Sequence, residues 1–111
     1  MKFEKKAFGD VVNILACDHY AAMQSKIDFT DFPDGVAKAG TPIAKDGKKA
    51  TTSGEPAESN AIGILLHDVY KDSPNGAVIL HGFIQEQKAQ IHSGVTVDDA
   101  TKAALTMINF V

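Results

Sequence analysis

Ala61-Ile62-Gly63-Ile64-Leu65-Leu66-His67-Asp68-Val69-Tyr70 and Gly76-Ala77-Val78-Ile79-Leu80-His81-Gly82-Phe83-Ile84 are the two densest apolar runs of this 111-residue chain. Lys71-Asp72-Ser73-Pro74-Asn75 separates them, and Asn75-Gly76 is a strong turn signal. The pattern predicts two paired strands on which the rest of the chain is wrapped. Ile62, Ile64 and Leu66 alternate onto one face, and Gly63, Leu65 and His67 onto the other. Apolar groups on both faces mean a strand covered on both sides. Gly63 predicts a bulge or a close approach by a neighbouring backbone.

Working outward, the C-terminal side begins with a polar stretch, 85–95, in which Ala89 and Ile91 form a short strand or anchor a loop. Thr96-Val97-Asp98-Asp99 reads as a helix start with Thr96 as N-cap. The alanine-rich run to Leu105 is helical, with Ala100, Ala104 and Leu105 facing the core. Met107-Ile108-Asn109-Phe110-Val111 is too apolar to hang in water and is expected to pair in the sheet. On the N-terminal side, Asp46-Gly47 favours a tight hairpin, and Pro33-Asp34-Gly35 a turn. Residues 51–60 are small, polar and rich in breakers, as in an exposed loop. Residues 10–25 carry helical spacing, although Val11-Val12-Asn13-Ile14 suits a strand equally. Residues 1–9 read as a charged arm holding Phe3 and Phe8. The expected fold is mainly β with one short C-terminal helix (α+β). It is a small sandwich- or barrel-like domain over 36–111, preceded by an arm and connecting segment over 1–35.

Composition narrows the function. One cysteine, Cys17, makes no intramolecular disulfide and no zinc site alone. The formal net charge is −3, and all eleven basic residues are lysine. Without arginine the chain lacks the planar fork that grips phosphates and guanine edges, which argues against a nucleic-acid partner. No run of about 20 apolar residues is present, so no membrane-spanning helix is expected. Met1-Lys2-Phe3-Glu4-Lys5-Lys6 is not followed by the apolar stretch of a secretory signal.

No catalytic constellation stands out. No serine sits in a Gly-x-Ser-x-Gly elbow, and the Cys17-Asp18-His19 adjacency is not the spatial pairing catalysis needs. His67 and His81 lie in the two core strands, where hairpin pairing could bring them together. Two histidines fall short of the three or four ligands of a metal site, so their ordinary place is the sheet surface. The composition and the missing constellation point to a protein that binds or builds, not to an enzyme.

One resemblance sharpens this. The runs Val36-Ala37-Lys38-Ala39-Gly40-Thr41-Pro42-Ile43, Asp46-Gly47, Ala61 to Val69, Gly76 to Gly82, Asp99 to Leu105 and Ile108 to Val111 stand in an order that resembles tailed-phage head decoration proteins. These are the lambda decoration protein family and related head-fibre proteins. The resemblance covers 36–111. It implies a trimerising β-rich domain on the outer surface of the virion, made in the host cytoplasm, that binds the major capsid protein and stabilises the shell. It implies no enzymatic activity, cofactor, metal or small-molecule substrate. It gives Phe3 and Phe8 a role as capsid contacts of the arm, and His67 and His81 a place at the trimer interface. Two other classes compete. Lys38-x-Gly40-Thr41-x-Ile43 also looks like a barrel-sandwich carrier module, with Lys45, Lys48 and Lys49 near the Asp46-Gly47 tip. A small enzyme with a His67/His81 metal site is the other.

Overall fold

The computed structural model describes residues 13–17 and 19–111. In chain order the strands are β1 (Ala21–Lys26), β2 (Val36–Ala37), β3 (Pro42–Ala44), β4 (Thr52–Ser53), β5 (Glu58–Ser59), β6 (Ala61–Leu65), β7 (Val69–Tyr70), β8 (Asn75–Ile84) and β9 (Ile108–Phe110). Two helices, α1 (Glu86–Ser93) and α2 (Asp99–Ala104), lie between β8 and β9. A single 3-10 turn covers Phe29–Asp31. The mainly-β, α+β class expected from the sequence is the class observed.

The long strand β8 is the spine. The main sheet runs β1-β8-β6-β3, and β9 joins β8 in parallel. β6 pairs antiparallel with β8 through Ile64↔Ile79 and Leu65↔Val78, so the two apolar runs do pair. Further along the same edge of β8, β9 pairs through Gly82↔Ile108 and Ile84↔Phe110. The opposite edge is taken by residues 14–16 and 21–27. Ala16 N–H donates to the Phe83 carbonyl, Gln85 N–H to that of Ile14, and Ile27 N–H to that of Pro74. β1 fills the middle of this run.

The sheet separates two cores. Ile64, Leu66, Ile79, Ile84, Leu105 and Ile108 pack on one face with Ile14, Ala39, Ala61 and Ala89. Leu65 and Val78 point the other way and pack with Ile27, Ala37, Ile43 and Val69. The predicted two-sided burial of the central strand is therefore observed. Phe29 and Phe32, edge to face with centroids 5.8 Å apart, close the second core. Gly63 sits where a Cβ would meet the Ile79 carbonyl and come within 2.6 Å of Val78 Cγ1. That is the close backbone approach its sequence position suggested.

Four expectations are corrected. Residues 21–26 are strand, not the end of a helix over 10–25; residues 10–12 and 18 lie outside the described residues. Pairing to β8 overrides the helix propensity of Ala21-Ala22-Met23-Gln24. Within the arm and connecting segment expected over 1–35, residues 21–26 pair in the sheet and Ile14 and Ile27 enter the cores, at 0% and 2% exposed. Residues 86–93 are helix, ended by Gly94 in the left-handed conformation. α2 is capped by Asp98, not Thr96: the Asp98 carboxylate accepts from Thr101 N–H at 2.8 Å. The shift puts Thr101 in the interior and leaves Ala104 outside, while Leu105 is buried as expected.

Candidate functional site

His67 and His81 are not brought together. β6 ends at Leu65, so His67 is exposed in the turn toward β7. His81 is half-buried on β8 and faces Ala21 of β1. In the β6–β8 register the residue opposite His81 falls before Ile64, whereas His67 falls beyond Leu65. Among the described residues no three His, Cys, Asp or Glu side chains converge as a metal site. Cys17 and His19 are both exposed. Phe3 and Phe8 lie outside the described residues.

Among the described residues, the imidazole that finds a partner is His92. Its Nε2 lies 2.7 Å from Asp68 Oδ1, which also accepts from Ala39 N–H at 2.8 Å. One half-buried carboxylate thus ties the Lys38–Thr41 turn to α1. Gly40 makes the approach feasible. Its φ is +97°, and a Cβ there would be 2.7 Å from the Ala89 carbonyl. The sequence signal was an acid, Asp68, inside an apolar run, where a half-buried carboxylate calls for a partner. A second tie joins α1 to α2: Lys102 Nζ meets Glu86 Oε2 at 2.8 Å and lies 5.9 Å from the Phe110 ring centre. Both are clasps between elements.

The clefts are open and ionically mixed. One of about 540 Å³ is lined by Lys26, Ile27, Asp28, Phe29, Asp46, Lys71 and Pro74. Asp28 accepts from the Thr30 hydroxyl and Thr30 N–H. These bonds, the hydroxyl first, hold its carboxyl below the usual carboxylate range. Asp98 is lowered similarly by the Thr101 hydroxyl and N–H. In both cases the hydrogen bonds stabilise a helical start. The Asp46-Gly47 tip does not project freely. Gly47 is buried, its carbonyl accepts from Asp28 N–H at 3.0 Å, and a Cβ there would collide with the Lys26 carbonyl.

What remains available is sheet. Among the described residues β1 pairs only with β8, and it is exposed at every position but Ser25. Strand edges and uncovered sheet faces are the material of pairing and assembly. Comparison with protein-family models, with curated proteins and with solved structures finds nothing that matches this chain.

Proposed function

We propose that the protein is a viral structural protein that decorates and stabilises the outside of a tailed-phage head. It binds the major capsid protein and assembles as a homotrimer. The observation that carries the reading is the placement of the quoted runs. Val36–Ala37, Pro42–Ala44, Ala61–Leu65, Asn75–Ile84, Asp99–Ala104 and Ile108–Phe110 are, in that order, β2, β3, β6, β8, α2 and β9. This order supports the architecture the resemblance implies: a small β domain with a short alanine-rich helix and a closing apolar strand. The exposed edge at β1 supports an assembling rather than a catalytic role. In this proposal Phe3 and Phe8 contact the capsid, and no cofactor or small-molecule substrate takes part. The test is co-sedimentation with expanded heads and with unexpanded ones. Retention on expanded heads supports the proposal; a chain that ignores both contradicts it.

A further inference from the structure

Among the described residues, part of one sheet face has no second layer. Ile79 and Ile84 face the same core although they are an odd number of residues apart. The register irregularity beside Leu80, where Ala21 faces His81 and Ala22 faces Ile79, accounts for this. Beyond it Ile84, Ile108 and Phe110 point into the first core. His81, Phe83, Met107, Asn109 and Val111 therefore project from the opposite face. Ala16 lies beside this row, its N–H donating to the Phe83 carbonyl.

The second core, which covers that same face around Leu65 and Val78, stops short of this end. Phe83 belongs to neither cluster. Met107 and Val111 are 61% and 71% exposed. No lysine, aspartate or glutamate stands among these six positions, in a chain of which 23% is Asp, Glu, Lys or Arg.

We infer that this face of β8 and β9, free of lysine, aspartate and glutamate side chains, is where copies of the chain meet around their rotation axis. The inference rests on the homotrimeric decorating function proposed above. Close to a rotation axis each side chain meets its own equivalents, so a lysine or carboxylate there would face like charge. The side chains this face brings to that position include no lysine and no carboxylate. Met107 and Phe83 supply the apolar centre, and Asn109 pairs with its own kind. The edge of β1 is less suited, because it carries Lys26. His81 belongs to this surface and His67 does not.

The test replaces exposed positions, so that folding is spared. Met107→Lys with Asn109→Lys is compared with the wild type and with Tyr70→Lys, an exposed position on β7. Mass is read by light scattering over rising concentration, with melting temperature and circular dichroism as fold controls. The expected result is a wild type and a Tyr70→Lys chain that reach about three chains, and a double variant that stays at one with its fold unchanged. A double variant with wild-type mass overturns the surface assignment and leaves the decorating function standing. A fall in melting temperature without a change of mass also overturns it, and assigns the face to a segment of the same chain. A wild type that stays monomeric at every concentration overturns the inference too, leaving head binding to decide the function.

Discussion

Gly63→Ala separates two opposing effects at the centre of the sheet. Alanine is favoured over glycine inside a strand by roughly 0.5–1 kcal/mol, because the unfolded chain has less freedom to lose. Against this, the new methyl would stand 2.6 Å from Val78 Cγ1 and closer still to the Ile79 carbonyl. Carbon pairs prefer about 3.5–4.0 Å, so the methyl is about 1 Å too near. Neither neighbour can yield cheaply, since Val78 and Ile79 are both fully buried and both pair with β6. Overpacking of this kind costs about 1–3 kcal/mol, and an unyielding backbone puts the cost at the upper end. The net loss is about 2 kcal/mol, or roughly 8–16 °C in Tm for a domain of this size. Urea unfolding should show a lower midpoint at unchanged slope. Gly94→Ala is the reference. Its φ is +74° and nothing lies within 4 Å, so it loses only about 1 kcal/mol of backbone strain. A Gly63→Ala protein as stable as the wild type, or more stable than Gly94→Ala, would refute the close β6–β8 approach.

Three further outcomes are expected. Asp68→Ala removes both the His92 contact and the acceptor of Ala39 N–H, and should cost about 1–2 kcal/mol in denaturant melts; His92→Ala should cost less, because the Ala39 bond survives. Ile14→Ala and Ile27→Ala should each cost about 2–5 kcal/mol, as core truncations do, whereas losses near zero would show that residues 14–27 are an appendage. Asp28 and Asp98 have lowered carboxyl pKa values in the folded state, so the unfolded chain binds more protons in acid. Their stabilisation is therefore present above the ordinary carboxylate range and is lost as pH falls through the folded values. A pH series of Tm should show Asp98→Asn with a shallower acid decline than the wild type.

The central pair of strands was legible because apolar density on both faces leaves few alternatives to a doubly covered strand. The closing strand was legible for the same reason: Ile108 and Phe110 needed a core. Turn chemistry marked Asp46-Gly47, where Gly47 has φ +87°. β1 was hidden because Ala21-Ala22-Met23-Gln24 is exposed on both faces and shows no alternation. Its strand state is imposed by β8 and not by local preference. α1 was hidden because Ala89 is its one buried residue, so no periodic stripe marks it. The Asp68–His92 contact spans 24 positions and leaves no spacing for a sequence pattern to catch. The uncovered face depended on the irregularity beside Leu80, which flips the alternation of everything after it.

The most direct test of the proposed function is the affinity of the chain for expanded heads, measured by sedimentation with and without Phe3→Ser and Phe8→Ser. The wild type should saturate the heads in multiples of about three copies per three-fold position. Two buried phenylalanines contribute about 3 kcal/mol or more, so the double variant should bind on the order of a hundredfold more weakly. A wild type that stays in the supernatant with expanded heads at every concentration contradicts the account.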